Sequence, residues 1–207
     1  MVDVWVAPLD ISIPRAVLSP AEQRRADAFA FPDDARRYTA AHAWLRHVLA
    51  AELGTSPAAV EFDPEPGKPR LAGGAGPSFN LSHAGEVALI AVAAVEVGVD
   101  IEPLGPAQPL EAMCTPAERE ALAAIAMEDR SEAFLRLWTA KEAYLKAIGA
   151  GLTVEPDTIE VGLSGDDRPL PGGWWVRTIR PAPGYIGAVA APGADWDIRL
   201  QRYGSTP

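Results

Sequence analysis

Apolar residues fall into two rhythms along this chain: short runs that alternate or stay continuous, and two long stretches with helical spacing. Val2 to Pro8 reads as a strand, and Ser19-Pro20-Ala21-Glu22 opens a helix with a serine N-cap and a proline in the first turn. A second helix follows Pro32-Asp33-Asp34 and ends at Gly54, with Tyr38, Ala41, Leu45, Val48, Leu49 and Leu53 on one stripe. Strands are predicted at Val60 to Phe62, Ser78 to Ser82, Val87 to Ala94 and Val97 to Glu102, separated by Pro and Gly clusters. Pro103 to Pro109 reads as a linker. Beyond it Thr115-Pro116-Ala117-Glu118 opens a helix as a capping box, and a long helix from about Ser131 ends at Gly149 and Gly151. Strands are then predicted at Ile159 to Leu163, Trp174 to Ile179, Tyr185 to Ala191 and Trp196 to Arg202.

Two helices followed by antiparallel strands thus occur twice, with negligible identity between the halves. The order predicts an α+β protein of two pseudo-symmetric lobes, residues 1–104 and 105–207, with the active site in the cleft between them. At 207 residues and 48% hydrophobic composition the chain can bury a substantial core. Its net charge of −10 excludes the basic face that wrapping of nucleic acid requires. The N-terminus has no basic flank before a long apolar core, and the longest apolar run, Val87 to Val95, is too short to span a bilayer as a helix. A cytoplasmic location is expected. The single cysteine, Cys114, fits a reducing compartment, and with no basic neighbour in sequence it reads as structural.

The densest chemistry lies in Gly98-Val99-Asp100-Ile101-Glu102. In a strand Asp100 and Glu102 share one face while Val99 and Ile101 share the other. Paired carboxylates suit magnesium, and they equally suit a solvated strand end. On the long helix Phe134, Leu137, Trp138, Tyr144, Leu145 and Ile148 form an apolar stripe. Lys141 falls near its middle, where it needs a buried partner or a route to solvent. Trp138 and Tyr144 read as core packing, whereas Glu142 and Lys146, one turn apart, would form either an ordinary surface pair or part of a site. Lys68, Lys141 and Lys146 are the only lysines among 18 basic residues, and a compact ammonium is useful beside phosphate. Lys68 sits in a turn between Pro66 and Pro69, and Phe79-Asn80-Leu81-Ser82-His83 puts a hydroxyl and an imidazole at a strand end. His42 and His47 read as packing or surface residues.

Taken in order, Gly67-Lys68-Pro69, Phe79 to His83, Gly98 to Glu102 and Trp138-Thr139-Ala140-Lys141-Glu142-Ala143-Tyr144-Leu145-Lys146, with Gly149 to Leu152 after it, resemble a known signature. It is that of 4′-phosphopantetheinyl transferases of the large, surfactin-synthetase-activating type. The resemblance implies a two-lobed monomer that moves the phosphopantetheine arm of coenzyme A to a serine of an acyl or peptidyl carrier protein, releasing adenosine 3′,5′-bisphosphate. It implies Mg2+, with Mn2+ as a possible substitute, held by Asp100, Glu102 and Glu142 at the pyrophosphate. Lys146, Ser82, His83, Arg37 and Arg25 would meet phosphates, and Lys68 and Pro69 would flank the adenine and 3′-phosphate end. Glu142 would take the proton of the attacking serine, directly or through a metal-bound water.

The family type is often broad in carrier choice, which leans toward secondary metabolism. The chain departs from the pattern at three places: Glu22 stands where a lysine is expected, which leaves the 3′-phosphate to Arg24 or Arg25. Ala84 replaces a serine, and Ala112-Met113-Cys114 replaces an aromatic stretch. Because carrier proteins are typically acidic like this chain, docking is expected on an apolar patch near the linker, at Leu104, Leu110 and Met113. The alternatives are a coenzyme A or nucleotide binder without transfer and a magnesium phosphohydrolase.

Overall fold

The computed structural model describes residues 1–64, 67–74, 76–107, 111–163 and 167–203. Strand β1 (Val2–Pro8) is followed by helices α1 (Pro20–Asp27) and α2 (Pro32–Leu53), then by β2 (Ser78–Ala84) and β3 (Val87–Ala93). The order then repeats with β4 (Gly98–Pro103), α3 (Pro116–Ala124), α4 (Met127–Ile148), β5 (Arg168–Leu170), β6 (Trp174–Ile179) and β7 (Tyr185–Pro192). A last strand, β8 (Ile198–Arg202), ends the described chain.

One sheet has the order β2-β3-β1-β8 and the other β4-β7-β6-β5. In each, the first strand of the repeat pairs antiparallel with the last: Val4 opposes Ala91, and Asp100 opposes Ala188. The shared unit is therefore strand-helix-helix-strand-strand, with the short β5 added at the edge of the second sheet. Strand β8 lies parallel to β1, with Val4 opposite Leu200, so the chain end closes the edge of the first sheet.

Alternation decides the layers. On β1, β3, β4 and β7, Val2, Val4, Val6, Leu89, Ala91, Val99, Ile101 and Val189 fill one core between the two sheets. The opposite faces are covered by helices, with Leu45, Val48 and Leu49 of α2 on Phe79, Ile90 and Val92. Leu137, Ala140, Ala143 and Tyr144 of α4 pack likewise on Ala188 and Ala190. Continuous burial of β3 and β7 follows, because each has a sheet on one side and a helix on the other.

Matching buried ion pairs anchor both helix pairs. Ser19 and Glu22 form a capping box, and Glu22 Oε2 also takes Arg46 Nε of α2 at 2.8 Å. Thr115 and Glu118 form the same box, and Glu118 Oε2 takes Lys141 Nζ of α4 at 2.5 Å. Each cation also caps carbonyls in the chain beyond its long helix, Arg46 at Pro57 and Val60 and Lys141 at Pro156. Lys141 thus has the buried partner that its place on the apolar stripe demanded. The repeated Ser/Thr-Pro-Ala-Glu was visible in the sequence as two helix starts, yet its second use as a counter-ion depends on a side chain more than twenty residues away.

Two predicted strands do not form. Ile159 to Leu163 is irregular, because the amides of Val161 and Gly162 donate to the buried Glu118 Oε1 at 2.8 and 3.1 Å. Val60 to Phe62 contributes only a single bridge, Phe62 to Leu71. Helix α4 begins at Met127, four residues before the expected start at Ser131, with Glu128 and Asp129 in its first turn, where the helix dipole favours acids.

Candidate active site

Strand β4 carries Gly98, Asp100 and Glu102 on the face that meets α4, and the closeness of that contact rests on Gly98. A Cβ there would lie 2.0 Å from the Ala143 carbonyl oxygen and 2.4 Å from the Ala147 nitrogen. Absence of a side chain lets the strand lie directly on the helix. That contact brings Asp100 and Glu102 against the last two turns of α4, which carry Glu142 and Lys146.

Asp100 is 4% exposed, and its Oδ1 accepts from Lys146 Nζ at 2.5 Å and from Ser82 Oγ at 2.8 Å. Lys146 Nζ also lies 2.9 Å from Ser82 Oγ. Among the described residues the buried Asp100 Oδ2 has no hydrogen-bond partner, a costly arrangement for a carboxylate. Burial pushes the Asp100 pKa up, opposed by Lys146 and Ser82. Glu102 is half-buried; burial and then the Asp100 charge raise its pKa, with the Trp138 side chain and Lys146 opposing the rise. Trp138, read from sequence as core packing, packs against the core beneath α4. Glu142 is raised by burial, with Asp100 adding to the rise and Lys146 opposing it. The three carboxylates sense one another's charge across a single cleft.

They do not close on one centre as they stand: among the described residues no three His, Cys, Asp or Glu side chains converge as a metal cluster. The ammonium of Lys146 sits on Asp100 instead. Among the described residues no ion pair joins Lys146 to Glu142, so the surface-pair reading of these two residues does not hold. The oxygen-only donor set and the orphaned Asp100 Oδ2 fit a hard divalent cation.

The sheets meet at this point through their edge strands. Asn80 Oδ1 accepts from the Val99 amide at 2.9 Å, and Ser82 reaches Asp100, so side chains of β2 stitch the edge of β4. The pairing partner of Asn80 lies in the other sheet, which no local sequence pattern announces. His83 follows at the exposed end of β2, its pKa held down by surrounding protein and by the nearby cations Lys146 and Arg37. Arg37 is held by Asp34 and Glu86. Arg25 lies over the Phe29 ring, 5.7 Å from its centroid, and is not drawn into the Asp100 group. Glu22, the departure from the expected lysine, is committed to Arg46. The expected role of Lys68 beside a phosphate meets a different arrangement, because its ammonium is turned onto Glu96 at 2.6 Å.

A cavity of about 360 Å³ lies beside Glu142 and Lys146. Its wall includes Gly67, Lys68 and Pro69 at one end, Asn80 in between, and Glu142, Leu145, Lys146, Gly149 and Gly151 along the helix end. Of the apolar patch expected near the linker, Leu104 and Met113 are half-buried, and Leu110 lies outside the described residues. Cys114 is fully buried, in keeping with a structural thiol.

Comparison with known proteins divides the chain at the start of the second repeat. The family described as 4′-phosphopantetheinyl transferase, N-terminal, matches residues 8–95, and the 4′-phosphopantetheinyl transferase superfamily matches residues 96–186. The 4′-phosphopantetheinyl transferase HetI of Nostoc is 36% identical, over 98% of this chain and 92% of its own length. The 4′-phosphopantetheinyl transferase Sfp of Bacillus subtilis is 27% identical, over 90% of this chain and 88% of its own. A putative 4′-phosphopantetheinyl transferase of Synechocystis is 34% identical over 72% of this chain and 65% of its own. With both halves matched and the carboxylate, lysine and serine groups assembled at one cleft, this chain belongs to the 4′-phosphopantetheinyl transferase superfamily.

Proposed function

We propose that the protein moves the 4′-phosphopantetheine arm of coenzyme A onto a serine hydroxyl of an acyl or peptidyl carrier protein, releasing adenosine 3′,5′-bisphosphate. The observation that carries this reading is the Asp100-Lys146-Ser82 cluster, with Glu102 and Glu142 beside it, whose Lys146 and Glu142 line a cavity of about 360 Å³. In the transfer the serine oxygen bonds to the phosphorus that bears the pantetheine arm, and the bond from that phosphorus to the bridging pyrophosphate oxygen breaks. The electron pair leaves with the bisphosphate. Glu142 takes the serine proton; its raised pKa brings it closer to the range in which a carboxylate serves as a base near neutral pH. Lys146 and Ser82 supply donors to phosphate oxygens, and positioning together with electrostatics carries the rate.

Asp100, Glu102 and Glu142 would hold Mg2+, or Mn2+ in its place, which supplies charge neutralisation at the pyrophosphate. His83, with Arg37 next to it, extends the positive side of the cleft. Both repeats come from one chain, which supports a monomer. Among the described residues no helix is long and apolar enough to cross a membrane, and the chain is assigned to the cytoplasm with its carrier. Carrier docking is assigned to the apolar surface around Leu104 and Met113, half-buried residues near the end of β4 and the start of α3.

The test is the mass of a carrier incubated with the protein, coenzyme A and Mg2+. The transferase reading requires the carrier to gain the phosphopantetheine mass. Consumption of coenzyme A without that gain identifies a hydrolase, and an unchanged mixture identifies a binder. A Met113→Asp variant that modifies the carrier as fast as the native chain would remove the docking assignment alone.

A further inference from the structure

Lys68 Nζ makes three hydrogen bonds, to Glu96 Oε2 at 2.6 Å, to the Val97 carbonyl at 2.8 Å and to the Ala147 carbonyl at 3.1 Å. An ammonium has three donors, so none is left for a ligand. Only 6% of the side chain is exposed, and burial holds its pKa below the ordinary lysine value, opposed by Glu96. Glu96 is in turn fixed by Arg70 at 2.6 Å and by Ser78 Oγ at 3.2 Å.

The three acceptors belong to segments that set the width of the cleft. Val97 immediately precedes β4, whose Gly98 lies against Ala143 and Ala147. Ala147 is in the last turn of α4, where carbonyls have no partner within the helix. The helix is capped two residues later at Gly149, φ +68°, where an added Cβ would touch Lys68 Cβ at 3.4 Å. Lys68 therefore bolts the Gly67–Pro69 turn to the start of the strand that carries Asp100 and Glu102 and to the end of the helix that carries Glu142 and Lys146.

We propose that Lys68 is a positioning residue, a clamp that sets the separation of β4 and the end of α4, and that its ammonium is not a ligand of the coenzyme's 3′-phosphate. The proposal rests on the transferase reading for its ligand but not for its structural readout. A phosphate ligand would have to surrender at least one of three protein partners in a nearly dry site, whereas the clamp keeps all three.

Two measurements separate the roles. In Lys68→Met the clamp requires faster amide hydrogen exchange over residues 143–150 in the unliganded protein. It also requires equal loss, about tenfold, in the affinities for coenzyme A and for 3′-dephospho-coenzyme A measured by calorimetry. A loss confined to coenzyme A, or exchange that matches the native protein, overturns it. Glu96→Gln serves as the second variant if Lys68→Met does not fold, because it leaves the ammonium in place. The clamp requires faster exchange over the same segment and weaker binding of both ligands. A freed ammonium acting on phosphate would leave coenzyme A binding unchanged or tighter, which also overturns the proposal. A native protein that binds the coenzyme but modifies no carrier would defeat the transferase reading while leaving the exchange result standing.

Discussion

Lys146 Nζ sits 2.5 Å from Asp100 Oδ1, across the boundary between helix α4 and strand β4. The ammonium occupies the place where a cation is expected to act on the carboxylates, and it balances a buried Asp100 whose second oxygen is bare. Lys146→Met is expected to fold and to lose transfer by about 100-fold or more, the scale for removing one preorganised donor to a developing charge. Without coenzyme the same variant is expected to bind Mn2+ more tightly than the native protein, because the competing ammonium is gone. Calorimetric titration checks this, and equal or weaker Mn2+ binding would show that Lys146 does not compete for the carboxylates.

Gly98 admits no side chain. The atoms an added methyl would meet, the Ala143 oxygen and the Ala147 nitrogen and Cα, are all backbone. Gly98→Ala is expected to cost about 3 kcal/mol or more, at the upper end for overpacking. Urea denaturation measures the loss. A double variant with Ala147→Gly is expected to remain as unstable, since trimming that side chain removes none of the clashing atoms.

The buried pairs predict an asymmetry. Glu118 accepts from Lys141, from the Thr115 amide and from the amides of Val161 and Gly162, so its removal orphans four donors. Lys141→Met leaves three of those bonds intact. Loss of one partner of a buried ion pair costs about 3–5 kcal/mol. Glu118→Ala is therefore expected to lower the denaturation midpoint more than Lys141→Met, and the reverse order would show that the cation, not the amides, is what Glu118 serves.

Burial holds the His42 pKa below its ordinary value of 6.5, with His83 and Arg46 adding to the fall and the Tyr38 carbonyl and Glu22 opposing it. The unfolded chain then takes up a proton more readily than the folded one. This contribution to stability is complete above pH 6.5 and declines as pH falls from there toward the depressed folded value. Replacing His42 with Gln is expected to flatten unfolding free energy against pH in that window, by at most about 1.4 kcal/mol per pH unit for one proton. Identical slopes in the two proteins would remove His42 as the cause.

Much of this architecture was legible along the chain because its causes are local. The ends of α2 and α4 follow from Gly54 and Gly149, both in the left-handed conformation that glycine adopts without strain. The single-residue spacing of Asp100 and Glu102 put them on one face as soon as the segment became a strand. The segment Ile159 to Leu163 misled because its apolar pattern suits a strand, while a carboxylate from α3 claimed its amides.

Sequence alone determined which side chains share a face, where α2 and α4 stop, and that two carboxylates, a third one turn before a lysine, and a Ser-His pair lie in the order that the family uses. Only the tertiary structure decided partners. It turned Lys146 to Asp100 rather than Glu142, spent all three donors of Lys68 on the protein, gave Glu22 and Glu118 matching buried cations, and laid β8 beside β1. Periodicity fixes direction because a strand or helix repeats its geometry residue by residue. An ion pair instead forms with whichever opposite charge the packed elements bring within reach, and that choice is made between segments far apart in the chain.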